Sequence, residues 1–119
     1  MRITKDALKA QARKTLEMAG FDFSSKENIE RFEHDYVIPT MENYRKEEAQ
    51  LREVYAQILI EAGATEMQLK WGNVSQANPN LLQRMQMKKV EGQIERIRGG
   101  ILVSAAMLDV LNEAKEVIA

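Results

Sequence analysis

Apolar side chains recur every three to four positions along most of this chain, the spacing that turns one face of an α-helix toward a core. Leu8, Ala12, Leu16 and Ala19 form the first such stripe. They predict a helix over about 5–19, between Thr4 and Gly20, with Gly20 free to take the left-handed conformation that closes a helix. A second start is expected at Ser24, where Glu27 three residues later fits the capping-box pattern. Ile29, Phe32 and Tyr36 then share a face. Pro39 has no amide hydrogen and crowds the carbonyl four residues back, so this helix is expected to stop near Val37 or to bend there.

Beyond Pro39, an apolar seam of Met41, Tyr44, Leu51, Tyr55, Ile58, Leu59 and Ala62 predicts a long helix over 40–62, ended by Gly63. Residues 64–79 change period. Met67, Leu69 and Trp71 alternate with polar residues up to Gly72-Asn73, and Val74 and Gln76 follow. This pattern reads as a short irregular hairpin or an extended loop. Asn78-Pro79 then suits a helix start, with Asn as the cap and Pro at the first helical position, where no amide is needed. Leu81, Leu82, Met85, Val90, Ile94 and Ile97 carry this helix forward, and the 90, 94, 97, 101 spacing resembles a heptad seam. A break or hinge is expected at Gly99-Gly100. A last amphipathic helix, about 104–118, starts at Ser104 and carries Met107, Leu108, Leu111, Ala114 and Ile118.

These elements predict an all-α fold: an elongated helical bundle of about five helices, with two long antiparallel helices joined by a short hairpin-like or extended insertion. The expected organisation is a single helical domain over 1–119. Helices over 1–37 lead into a long helical hairpin over 40–100, whose insertion is 64–79, and a C-terminal helix occupies 101–119. A helix from 40 to 62 spans about 33 Å. Two such helices in 119 residues leave apolar side chains that oligomerisation would cover. The seam residues Leu51, Tyr55, Ile58, Val90, Ile94 and Ile97 are the candidate subunit contacts.

Composition narrows the chemistry. There is no Cys and one His, which excludes a disulfide framework, a thiolate zinc site, a cysteine nucleophile and a multi-histidine metal site. No apolar run approaches the roughly 18 residues a membrane span needs, and no signal peptide follows Met1. A soluble cytoplasmic protein is expected. The net charge of −1 conceals a segregation. Residues 1–20 carry five basic and two acidic side chains, 21–66 five and eleven, 67–100 six and two, and 101–119 one and three. Such asymmetry prepares one surface for a polyanion and another for a basic partner, or for contact between copies of the chain.

Catalytic patterns are sparse. His34 lies in the acidic stretch Glu30-Arg31-Phe32-Glu33-His34-Asp35-Tyr36, where a lone surface imidazole is ordinarily incidental, so no catalytic role is assigned to it beside Glu30 or Asp35. The chain has neither a phosphate-cradling Gly-x-x-x-x-Gly-Lys loop nor a Gly-x-Ser-x-Gly nucleophile turn. No Glu-x-x-His pair accompanies Glu47 and Glu48 to build a metal site in a bundle. No metal, cofactor or enzymatic activity is expected. Two basic sets remain. Arg2, Lys5, Lys9 and Arg13, with Lys14 close by, follow one side of the first helix and form the candidate DNA-facing stripe. Arg84, Lys88, Lys89, Arg96 and Arg98 surround the later helix, and a favourable interaction with its dipole accounts for the last two.

The succession Tyr44-Arg45-Lys46-Glu47-Glu48 through Leu59-Ile60-Glu61-Ala62-Gly63, a short insertion, Asn78-Pro79-Asn80-Leu81-Leu82 and another long helix ending near Gly100 resembles the small, single-domain terminase small subunits of bacteriophages. The resemblance covers roughly residues 27–104. It implies a non-catalytic phage or prophage DNA-packaging protein inside a bacterial host cell. Such a protein assembles as a homo-oligomer, often a ring, binds double-stranded packaging-site DNA, and recruits the terminase large subunit, which carries the ATPase and nuclease. The residues alone leave a second expectation open: a helical protein-interaction or scaffold module that docks a partner without touching DNA.

Overall fold

A computed structural model describes residues 4–72 and 77–118. The chain is all-α, with helices α1 (Lys5–Met18), α2 (Lys26–Phe32), α3 (Ile38–Glu61), α4 (Glu66–Lys70) and α5 (Leu81–Ile118). A π-helical segment, Glu33–Val37, joins α2 to α3 without a break, so among the described residues five α-helical segments make four helices. Among the described residues there is no strand.

Local chemistry sets each boundary. Thr4 caps α1 by accepting from the Ala7 amide at 3.1 Å. Gly20, at φ +76°, closes the helix while the Phe21 amide bonds back to the Leu16 carbonyl at 3.0 Å. The start of α2 falls one residue beyond the expected Ser24. Asp22 accepts from both the amide and the hydroxyl of Ser24, and Ser25 becomes the cap, accepting from the Asn28 amide at 3.2 Å. The expected stop near Val37 does not occur. Through the π segment the Ile38 amide donates to the Glu33 carbonyl, five residues back. This wider turn reorganises the hydrogen-bond ladder just ahead of Pro39. The Thr40 hydroxyl also donates to the Tyr36 carbonyl at 2.7 Å.

The expected hairpin or extended loop at 64–79 contains a helix instead. Thr65 and Gln68 form a reciprocal capping box at the start of α4, at 2.9 and 3.1 Å. Met67 and Trp71 stand one helical turn apart, both exposed, while Leu69 is half-buried. Alternation over five residues fits this arrangement as well as it fits a strand. Asn73, Val74 and Gln76 lie outside the described residues. The cap of α5 is Asn80 rather than Asn78. Its side chain accepts from the Gln83 amide at 2.8 Å, and Gln83 accepts from the Asn80 amide at 2.9 Å. The Asn78 amide donates instead to the Ala62 carbonyl at the end of α3, at 2.9 Å.

Gly99-Gly100 neither breaks nor bends the chain into a separate helix; α5 runs continuously for 38 residues. The expected separate helix starting at Ser104 is the last part of α5, and Ser104 is buried in mid-helix. The close approach of Tyr44 gives Gly100 its role. A Cβ at Gly100 would meet ring atoms of Tyr44 at 2.7 and 2.8 Å. The glycine is there for contact.

Contacts divide the chain into two compact units, Met1–Arg45 with Gly99–Ala119 and Lys46–Arg98. In the first, Ala12 and Leu16 of α1, Ile29 of α2, Val37, and Ala106, Val110, Leu111 and Ala114 of α5 form one buried cluster. Phe21, Phe23 and Phe32 pack at its edge, with ring centroids 5.0 and 5.2 Å apart. Fully burying side chains such as Ile29 and Leu111 contributes about 1.5–3 kcal/mol each. In the second unit α3 and α5 pack antiparallel. The register is fixed by the Tyr55 hydroxyl donating to Glu91 at 2.9 Å and by Arg98 donating to Glu48 at 3.3 Å.

Candidate functional site

The stripe expected to face DNA on α1 has partners inside its own unit. Lys5 pairs with Asp109 at 3.6 Å, and Lys9 pairs with Glu113. Both steps keep the same offset along the chain, so α1 runs parallel to this part of α5. Arg13 pairs with Glu17 at 3.2 Å, and its guanidinium lies 5.2 Å from the centre of the Phe23 ring, within cation–π range. Lys14 is exposed and makes no ion pair among the described residues. Arg2 lies outside them. The hydrogen bond to Glu113 holds the Lys9 ammonium above its ordinary pKa. Two of the basic side chains of residues 1–20 therefore answer carboxylates of residues 101–119.

The candidate subunit contacts belong to the antiparallel seam of the second unit. Ile58, Val90 and Ile97 are buried there, and Leu51, Tyr55 and Ile94 are half-buried. A groove of about 450 Å³ runs beside them, with Ala56, Leu59, Leu69 and Ile94 among its apolar walls and Arg52, Arg98, Glu91 and Glu95 among its polar ones. Glu48 accepts from Arg52 at 2.8 Å and from Arg98. The bond from Arg52 is the largest influence lowering the pKa of Glu48; partial burial opposes it and Arg98 adds to it. Burial, and then the bond to Glu91, raise the pKa of the Tyr55 phenol.

Two sets of exposed side chains stand out among the described residues of the second unit. The first is apolar: Met67 on α4, Trp71 at its C-terminal end, and Leu81, Leu82 and Met85 on α5 are each 61% to 77% exposed. Leu81, Leu82 and Met85 are the first apolar positions of the stripe that predicts this helix. Pairing of residue 48 with 98 and of 55 with 91 places residue 85 opposite Glu61, the last residue of α3. The first turn of α5 thus has no length of α3 across from it, a consequence of register that the stripe alone does not reveal. The second surface is basic: Arg84, Lys88, Lys89 and Arg96 are exposed and unpaired among the described residues.

His34 and Asp35 are exposed within the π segment and Glu30 is half-buried, with no hydrogen bond among them. Among the described residues no group of three His, Cys, Asp or Glu is placed to hold a metal ion, and no helix is long and apolar enough to cross a membrane. No protein-family model matches the chain, and no curated protein or solved structure matches it. One buried polar feature stands apart from these surfaces. Glu33, in the π segment, bonds Lys115 at 2.8 Å through one carboxylate oxygen, while the other is buried without a partner.

Proposed function

We propose that the chain is a non-catalytic assembly subunit of the phage terminase small-subunit kind. In this reading it binds double-stranded DNA as a homo-oligomer and presents that DNA to a large ATPase-nuclease subunit in a bacterial host cell. The observation that carries the reading is the combination, within residues 46–98, of an antiparallel helix pair with exposed apolar residues at one end and unpaired cations along α5. Exposed Trp, Met and Leu clusters are the surfaces that association buries. Cations spread over several copies supply the phosphate affinity that a chain of net charge −1 lacks as a monomer.

Native mass measurement together with retardation of a double-stranded DNA duplex at low salt tests the proposal. A multimer that retards the duplex supports it; a strict monomer without DNA affinity overturns it. The pairing of Lys5, Lys9 and Arg13 with carboxylates of the same chain favours a second reading, a helical protein-interaction module that does not bind DNA. A multimer with no affinity for the duplex at low salt selects that reading.

A further inference from the structure

Charge follows an ordered pattern along one flank of α5. At 3.6 residues per turn, Arg84, Lys88, Glu91 and Glu95 fall within about 60° of one another, two cations followed by two carboxylates over about 16 Å of helix. All four are exposed. They lie roughly 140° round the helix from Val90 and Ile97, the buried positions of the same stretch. Among the described residues none of the four forms an ion pair within the chain. Glu91 accepts from Tyr55 through one carboxylate oxygen, which leaves the other for a cation. Like charges four residues apart, Arg84 with Lys88 and Glu91 with Glu95, weaken a lone helix, so the order brings the single chain no stability. Leu81, Met85 and Met87 adjoin the flank and, with Arg84, Lys88 and Glu91, line an open groove of about 430 Å³ formed by α5 side chains alone. Lys89 and Arg96 take the opposite side of the outward face, where Arg96 borders a groove with Glu47 of α3.

We infer that the flank of Arg84, Lys88, Glu91 and Glu95 is a self-complementary docking surface for a second copy of the chain, packed antiparallel about a two-fold axis. The inference rests on the self-assembly part of the reading above and names its surface. An axis crossing the flank at the level between Lys89 and Val90 sets Arg84 across from Glu95 of the second copy and Lys88 across from Glu91 of the second copy. Symmetry repeats both pairs, so every charge on the flank meets its opposite. A parallel pairing instead sets Arg84 on Arg84 and Glu91 on Glu91, and like charges repel along its length. The side of Lys89 and Arg96 carries no carboxylate between residues 81 and 98, so two copies meeting there repel as well. That side stays in solvent and keeps its cations for phosphates. Gly92, where the space for a Cβ is open, comes close to Met85 of the second copy and gives that side chain room. A contact of about three turns, formed largely by exposed charges, is small for a stable interface. The dimer therefore dissociates on dilution and weakens as salt is raised.

Sedimentation equilibrium of the full chain at low and high salt, with helix content followed by circular dichroism, tests this through two charge-reversed variants. Arg84→Glu with Lys88→Glu makes the flank wholly acidic, and Glu91→Lys with Glu95→Lys makes it wholly basic. Each alone is expected to keep its helix content and to dimerise about 100-fold or more weakly than the wild type at low salt, because every pair across the axis becomes like-charged. Mixed in equal amounts, the two restore all the opposite pairs and are expected to form a heterodimer within about tenfold of the wild-type constant. This rescue reads the contact itself, since a misfolded variant is not mended by its counterpart. The fourfold reversal is expected to pair with itself and not with the wild type, the mark of the antiparallel register. A wild-type multimer unmoved by either reversal, or a weakening that persists in the mixture, overturns the inference and leaves the assembly reading standing. A wild type that is strictly monomeric at low salt overturns both.

Discussion

Adjacent glycines in α5 are expected to respond in opposite directions to the same substitution. At Gly99 an added Cβ meets nothing within 4 Å, so Gly99→Ala gains only helix propensity, about 1 kcal/mol. For a chain of this length that raises the thermal midpoint by about 4 °C. At Gly100 the same methyl would sit 2.7, 2.8 and 3.1 Å from three atoms of the Tyr44 ring. The ring is rigid and half-buried, so it must tilt as a whole or push the helices apart. Overpacking of this kind costs about 1–3 kcal/mol. Set against the same propensity gain, Gly100→Ala is expected to be destabilising by up to about 2 kcal/mol, lowering the midpoint by up to about 8 °C. Thermal unfolding followed by circular dichroism reads both. In a Tyr44→Ala background the clash disappears, so Gly100→Ala becomes stabilising and the double-mutant cycle returns a coupling of about 1–3 kcal/mol. Equal stabilisation by both alanines in the wild-type background would refute the contact. Destabilisation by Gly99→Ala would refute the unbroken helix.

Other expectations follow from the same geometry. Lys115→Met strands the Glu33 carboxylate, of which only 7% of the side chain is exposed, and is expected to cost about 3 kcal/mol in urea unfolding; pairing it with Glu33→Met is expected to restore most of the loss. The Glu48 pKa is depressed by Arg52 and Arg98, so its contribution is present above the ordinary value of 4.5 and fades as pH falls through the lower folded value. A flatter acid limb in Glu48→Gln than in the wild type checks this. Lys9 and Tyr55 have raised pKa values in the folded chain, through the bond to Glu113 and through burial respectively. Their contributions are present below the ordinary values of 10.5 and 10.0 and fade as pH rises through the folded ones. Lys9→Gln should therefore reduce the alkaline loss of stability. Trp71, the only tryptophan, is expected to show solvent-exposed fluorescence at high dilution and a blue shift as association covers it.

The helices were legible where a long apolar stripe met an unambiguous stop signal. Leu8, Ala12 and Leu16 with Gly20 gave α1 almost to the residue. Short-range signals were read correctly in kind but displaced when a neighbour competed. Asp22 takes up Ser24 and moves the cap to Ser25, and the Ala62 carbonyl takes the Asn78 amide and moves the next cap to Asn80. Breaker residues misled for a tertiary reason: the π segment precedes Pro39, and the Tyr44 ring gives Gly100 a packing role. The candidate site depended on a pairing that sequence spacing does not contain. Lys5 and Lys9 face carboxylates about a hundred residues away, so two cations of a stripe that looked free have partners in the same chain. The exposed end at Leu81 and Leu82 follows from where α3 stops, which only the register of the antiparallel pair discloses.

The central claim, a DNA-binding assembly subunit, is tested most directly by native mass spectrometry of the full chain, alone and with a double-stranded DNA duplex at low ionic strength. The account predicts a multimer that carries the duplex, with DNA released as salt is raised. A monomer whose mass is unchanged by the duplex would contradict it.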